Sequence, residues 1–355
     1  MNISVCTIMK NEEDNIDLFL STIKKLGLKD IVLVDTGSED KSVEIANKYI
    51  DKVHFKKWNN DFSEARNYAA SKAEYDNILV LDVDEIITEI SADEVGKSLP
   101  LLGEKIGRIY LNNFTTSDGI KSNHYVWLPR IYNRKYAHFS GAIHEQIVPI
   151  RDNKIQYFDF NITVDHIGYD LTMDKLKKKA ERNNSILFEE IEKNPDDPYL
   201  YFQVAQSYML IREREKALEW YSKALTFDLN PKLEYVSMII TGYGESLMSL
   251  GRYEEALGLK SVYEEFKECA EYVFMMGQIY LNLNQIIDAY KEFMRCLSLK
   301  KERVKGMTSF FPLHNIGVIN EMLGEKDAAI IFYKKAAEYG YERSLNRLKE
   351  IELNN

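Results

Sequence analysis

Short apolar runs separated by polar breaks fill the chain up to about residue 170, and a helical period takes over beyond it. Residues 3–9 and 31–34 are uninterrupted β-prone runs. So is Ile78-Leu79-Val80-Leu81, which continues through Asp82-Val83-Asp84-Glu85 into Ile86-Ile87. Runs of this kind read as strands covered on both sheet faces. Residues 10–15 break the first run before an amphipathic helix that begins near Ile16. Asp35-Thr36-Gly37-Ser38 ends the second, where Gly37 supplies a tight turn and Ser38 is placed to cap the next helix. Asp61 with Glu64 has the form of a capping box, opening a helix that carries Arg66. Strand, helix, strand, helix predicts the start of a doubly wound α/β sheet. From 106 to 170 the pattern is less regular, with strands expected at 108–111 and 162–164.

Beyond 170 the apolar positions follow a helix. Leu176, Ala180, Leu187 and Ile191 share one face of a segment that Asn194-Pro195 ends, which predicts a linker helix over 171–196. Its lysine run, Lys175 to Lys179, reads as a solvated face, with contact to an acidic acceptor or a membrane surface as the weaker alternative. A pattern then recurs: Ala205, Tyr208, Ala217, Tyr221 and Ala224, then Gly277, Tyr280, Ala289, Phe293 and Cys296, then Gly317, Asn320, Ala329, Tyr333 and Ala336. Gly244, Leu247 and Ala256 form a weaker copy. Small residues that let paired helices approach, with aromatics filling the gaps, resemble tetratricopeptide repeats. Four such units are expected over 197–342, with a tail over 343–355. Stacked repeats leave a groove that suits an extended peptide, a partner protein or a second copy of the chain.

Composition narrows the classes. At 355 residues the chain has room for about two domains. The formal net charge is −10 and neither half is basic, so nucleic acid is not an expected ligand. No apolar run approaches the roughly 20 residues that span a bilayer, and no basic region precedes the first apolar run, so a cytoplasmic protein is expected. Cys6, Cys269 and Cys296 lack metal or redox spacing and read as reduced packing residues.

The candidate chemistry centres on Asp82 and Asp84. On a continuing strand these two carboxylates point the same way, at the end where open α/β sheets bind ligands. Unpaired they would repel each other, which suggests a divalent cation between them and a phosphate-bearing ligand. The bland reading is an acidic strand end facing water. A phosphotransferase with an Asp nucleophile is a further alternative, but Glu85-Ile86 does not supply the small turn that chemistry usually has. Asp35 also follows a strand, where it either accepts hydrogen bonds from a base or ribose or only orders its own turn. Arg66 is a phosphate clamp or a surface ion pair. No phosphate-binding Gly-rich loop is present, so a metal would do most of the neutralising of a diphosphate. His54, His124, His138, His144 and His166 all precede residue 170, which raises the prospect of a histidine metal ligand there.

Ser4-Val5-Cys6-Thr7-Ile8-Met9-Lys10-Asn11-Glu12-Glu13, the Val34-Asp35-Thr36-Gly37-Ser38 turn, Asp61-Phe62-Ser63-Glu64-Ala65-Arg66-Asn67 and Leu81-Asp82-Val83-Asp84-Glu85 occur in the order found in family 2 glycosyltransferases of the GT-A fold. The first 170 residues resemble that family, which implies a Rossmann-like mixed sheet and an inverting transfer from a nucleotide-sugar with Mn²⁺ or Mg²⁺. The donor implied is a UDP-sugar, with UDP-GlcNAc and UDP-glucose foremost. By position, Asp35 would hold the uracil or ribose, Arg66 the nucleotide or diphosphate, Asp82 the ribose side and Asp84 the metal. Glu12 and Arg130 would line the same pocket. His166, directly after a strand, would join Asp84 on the metal; a structural histidine is the alternative. Glu145, in a Gly-x-x-His-Glu segment, is the candidate base, with His144 next to it as its rival. The absence of a Gln-x-x-Arg-Trp segment argues against a processive polysaccharide synthase.

The pairing of such a domain with repeats resembles bacterial enzymes that glycosylate peptides or proteins, of the flagellin-modifying or bacteriocin S-glycosyltransferase kind. A lipid-linked or lipopolysaccharide acceptor, or a non-catalytic scaffold, are the alternatives.

Overall fold

The computed structural model describes residues 2–117, 120–151, 154–167 and 173–353. They form two compact units, which divide between Ile186 and Leu187. The first begins with β1 (Ser4–Met9), α1 (Ile16–Lys25), β2 (Asp30–Asp35), α2 (Ser42–Ala46) and β3 (Val53–Phe55). Next come α3 (Phe62–Lys72), β4 (Asn77–Val80), β5 (Glu85–Ile90), α4 (Ala92–Leu102), β6 (Ile106–Ser117) and β7 (Ile120–Asn133). It continues with β8 (Ala137–Ser140), β9 (Gln146–Pro149), β10 (Tyr157–His166) and α5 (Met173–Lys193), and the division between units falls within α5.

Eight strands form one mixed sheet in the order β3-β2-β1-β4-β7-β6-β10-β5, and β8 pairs with β9. The first four are parallel, β7 runs antiparallel to β4 and β6, and β5 runs antiparallel to β10 at the far edge. The period of two is visible in β1 and β2: Ile3, Val5 and Leu33 join one apolar cluster, whereas Cys6, Val32 and Val34 join the cluster on the opposite face. Burial pushes the Cys6 thiol well above its ordinary range, which suits a packing residue.

Two local expectations fail. The apolar run from Ile78 to Ile87 is not one strand, because the chain leaves the sheet after Val80, turns through Asp82 to Asp84, and resumes as β5 beside β10. The alternation that would have aimed Asp82 and Asp84 the same way therefore does not apply to them. Ser38 does not cap α2; its hydroxyl accepts from the Asn11 amide at 2.9 Å and ties the loop after β1 to the loop after β2. The Asp61 cap does form, accepting from the Glu64 amide at 2.8 Å, but the Glu64 carboxylate turns to Lys56 and Asn59 and leaves the box half closed.

The second unit is helical: α6 (Pro198–Leu210) with α7 (Arg214–Ala224), α8 (Glu234–Ser249) with α9 (Tyr253–Leu257), a short α10 (Tyr263–Phe266), α11 (Ala270–Asn282) with α12 (Ile286–Cys296), α13 (Phe310–Met322) with α14 (Lys326–Ala337), and α15 (Glu342–Leu353). The repeated residues pack as their spacing predicts, since Ala217, Tyr221, Ala224, Ala289, Phe293, Cys296, Ala329, Tyr333 and Ala336 are all buried. A Cβ on Gly277 would lie 2.7 Å from the Phe293 ring, and one on Gly317 2.6 Å from the Tyr333 ring, so these positions admit nothing larger.

His314 on α13 meets the Ser344 hydroxyl at 2.8 Å and the Tyr333 and Tyr341 rings, each with its centroid 5.3 Å away. Burial, helped by Arg343, lowers its pKa to about 4. The unfolded chain binds this proton near pH 6.5, so the contribution is complete above that pH and is lost as pH falls toward 4. Between pH 7.5 and 5 wild type is expected to lose about 2 kcal/mol more repeat-unit stability than His314→Leu, measured by urea unfolding at the two pH values. Parallel pH dependences would refute this.

Candidate active site

The carboxyl ends of β1, β2 and β4 lie side by side in the sheet and bring Glu12, Asp35 and Asp82 to one edge. Leu81 is anchored there, its amide donating to the Cys6 carbonyl at 3.3 Å and its carbonyl accepting from the Thr7 hydroxyl. From this edge a line of alternating charge crosses the cleft. Arg66, only 6% exposed, donates from Nε to Glu145 Oε1 at 2.6 Å and from Nη2 to Asp82 Oδ1 at 2.8 Å. Arg130 on β7 donates from Nη2 to Glu85 and lies 3.5 Å from Asp82 Oδ2. Glu85, buried, also accepts the Asp82 amide at 3.0 Å.

The protonation states follow from these partners. Burial alone would raise Asp82, but Arg66 and Arg130 outweigh it and hold the carboxyl well below its ordinary range. Asp82 is thus taken by two guanidiniums, and the cation expected between Asp82 and Asp84 has lost one of its ligands. Burial pushes Glu85 up against the pull of Arg130. Glu12 is raised by burial first and by the fields of Asp84, Asp82 and Asp40, and the Asn15 amide on its Oε2 at 3.1 Å opposes the rise. Asp35 uses its carboxylate on its own turn, accepting the Gly37 amide at 3.0 Å and the Ser38 amide at 3.1 Å.

His166, the last residue of β10, pairs with the first residue of β5 and so stands beside the turn that carries Asp84. Its Nε2 lies 3.1 Å from Asp84 Oδ2. Burial would lower this imidazole, but the hydrogen bond to Asp84 and the fields of Asp84, Glu85 and Asp82 raise it above its ordinary value. Among the described residues no group of three or more His, Cys, Asp or Glu side chains could hold a metal ion. Asp84 and His166 alone fit two neighbouring positions of an octahedral ion, since ligands at about 2.1 Å stand about 3 Å apart.

Glu145 and His144 reach the cleft because α3 grips the segment before them. Ser63 Oγ donates to the Gly141 carbonyl at 2.6 Å and the Phe62 amide to Ala142 at 2.8 Å. Asn67 makes a two-way amide pair with the Phe139 backbone, 2.9 Å each way. His144 takes a left-handed backbone, φ 52°, at the end of this turn. The residue is exposed, yet desolvation by the surrounding segment lowers its pKa, with Glu145 opposing and Lys179 adding to the effect. Sequence reading found neither this grip nor the role of Glu85; Asn67 lies inside the motif around Arg66, the one signal available. Two buried nitrogens, Arg66 Nη1 and Arg130 Nε, have no partner among the described residues.

An acidic strand-end cluster with guanidinium nitrogens left over suits an anion that arrives with its own cation. Residues 4–139 match the Glycosyl transferase family 2 profile, and residues 198–231, 270–303 and 312–339 match the Tetratricopeptide repeat profile. The chain thus carries a family 2 glycosyltransferase domain followed by tetratricopeptide repeats. It is 26% identical over 228 residues to the SPbeta prophage-derived glycosyltransferase SunS of Bacillus subtilis, across 61% of this chain and 52% of that one. It is 25% identical over 273 residues to a TPR repeat-containing protein of Synechococcus elongatus, across 72% of this chain and 66% of that one. The chain spans about half the length of SunS. A crystal structure of the protein MamA overlays 50% of this chain and 98% of its own, at 17% identity and a TM-score of 0.40.

Proposed function

We propose that this family 2 glycosyltransferase domain, joined to tetratricopeptide repeats, moves a sugar from a UDP-sugar to a hydroxyl or thiol of a peptide or protein. The observation that carries the reading is the cleft at the strand ends. There Arg66 is fixed by Asp82 and Glu145 yet keeps a buried Nη1 without a partner among the described residues. In the proposed reaction the acceptor oxygen or sulfur attacks the anomeric carbon from the face opposite the diphosphate. The bond from that carbon to the diphosphate breaks, and the electron pair leaves on the phosphate oxygen. Glu145 takes the acceptor proton, oriented by its hydrogen bond from Arg66 Nε. Asp84 and His166 are the residues that would hold Mn²⁺ or Mg²⁺, which when bound neutralises the diphosphate. Arg66 and Arg130 face the phosphates with their remaining N–H groups, and Asp82 and Glu12 border the ribose. Asp35 keeps the neighbouring turn in shape.

The repeats support a polypeptide acceptor, because stacked helix pairs offer a surface for an extended chain. No helix of the described residues is long and apolar enough to cross a membrane. Calorimetric titration with UDP-GlcNAc, UDP-glucose and UDP-galactose, each with and without Mn²⁺, tests the reading; metal-dependent binding of one is expected, and binding of none would overturn it. Asp84→Asn should weaken that metal-dependent binding about 10- to 100-fold while the thermal midpoint stays put. Unchanged donor affinity would remove the metal role. If the enzyme instead pellets with membranes and labels only lipid in a radiolabelled-donor assay, the acceptor class is wrong.

A further inference from the structure

Helix α5 reads in the sequence as a linker with a solvated basic face, yet it brings a cation to the cleft. The Arg182 guanidinium carbon lies 5.3 Å from the centre of the Phe62 ring. Phe62 opens α3 and is fixed by its amide on Ala142, at 2.8 Å, to the turn that leads to His144 and Glu145. Arg66 follows Phe62 at i+4, so Arg182 rests on a residue of the α3 face that carries Arg66. Arg182 is solvent-exposed; the Glu12 field reaches its guanidinium, and the fields of Asp84 and Asp82 reach Glu12. These groups therefore share one region of the cleft.

Arg182 differs from the other two arginines. Arg66 and Arg130 are held by carboxylates, whereas the hydrogen bonds of Arg182 go to the Asn183 side chain next to it, at 3.1 and 3.3 Å. Among the described residues no carboxylate makes an ion pair with it. The cleft also has more negative than positive charge. Asp82, Glu85 and Glu145 face two guanidiniums, and Asp84 and Glu12 stand beside them. A diphosphate entering there meets repulsion that one divalent ion offsets only in part.

We infer that Arg182 is a donor-binding residue that contacts the diphosphate together with the unpartnered Nη1 of Arg66. The inference rests on the nucleotide-sugar reading of the cleft for the identity of the ligand, but the contact itself is to a diphosphate of any origin. The full chain and its Arg182→Gln and Arg182→Lys variants are titrated with Mg²⁺ plus inorganic pyrophosphate, with Mg²⁺ plus UDP, and with uridine. Arg182→Gln is expected to weaken pyrophosphate and UDP about tenfold and leave uridine and the thermal midpoint unchanged, with Arg182→Lys recovering part of the loss. Equal weakening of uridine, or unchanged affinity for both phosphate probes, would overturn the assignment. Wild type that binds pyrophosphate but neither UDP nor uridine would sink the nucleotide reading, and Arg182 would then be judged on pyrophosphate alone. Wild type that binds no pyrophosphate would overturn the proposal outright.

Discussion

Glu145→Gln is expected to keep donor binding and lose transfer by about 10²- to 10⁴-fold. The amide preserves the shape of the carboxylate, and its oxygen can still accept from Arg66 Nε, which now lies 2.6 Å from Glu145 Oε1. Donor binding depends on the other side of Arg66, where Nη2 holds Asp82, so the cleft should survive. The capacity to take a proton does not survive, because an amide is not a base near neutral pH. The measurement is single-turnover transfer, read beside calorimetric donor affinity in the same preparation. His144→Gln is the necessary companion. One oxygen of Glu145 is engaged by a guanidinium, whereas His144 is exposed and its pKa is shifted downward, toward the neutral form that a base must have. If Glu145→Gln still transfers and His144→Gln does not, the base is His144.

Arg66→Met should destabilise the catalytic unit by about 3–5 kcal/mol and abolish donor binding. The guanidinium is 6% exposed and bridges two carboxylates, of which Glu145 has no other ion-pair partner among the described residues. Without it Glu145 loses its ion-pair partner, and Asp82 retains only Arg130, at 3.5 Å. Glu145, 12% exposed, would then either take up a proton or open the α3 contact, while Asp82, 36% exposed, would turn to water and Arg130. Arg66→Lys should recover only part of the loss, since one ammonium cannot reproduce the fork that reaches both acids. Urea unfolding of the full chain, followed by a probe in the first unit, gives the number. A Met variant as stable as wild type would mean the two carboxylates are solvated rather than held by Arg66.

Much of this protein is legible from local sequence. The Asp61 cap forms because a carboxylate at that position finds the Glu64 amide with no help from distant residues. The repeat spacing works for a similar reason in two of the units, where Gly277 faces Phe293 and Gly317 faces Tyr333 of the same helix pair, whereas Gly244 of the weaker copy faces Met275 and Leu259. Local reading fails where two partners compete. Ser38 had a cap to offer but met the Asn11 amide, which approaches from a loop 27 residues earlier. The run from Ile78 to Ile87 is apolar enough for one long strand, yet β7 pairs with β4 only over Asn77–Leu79 and the strand ends at Val80, with the rest of the run on β10.

The sequence by itself therefore determined the first strands and helices, the repeats, and the acidic stretch at the end of a buried run, because hydrophobic period, caps and spacing act over a few residues; β3, α4, β7, β8 and β9 it left unread. Only the tertiary structure decided which acid does what. Asp82 and Asp84 are alike in sequence, but one meets Arg66, which is 16 residues away and is itself tied to Glu145 across 79, and the other meets His166 across 82. An ion pair forms with whichever charge packing brings within reach, and that proximity is a property of the sheet order, which no short stretch encodes.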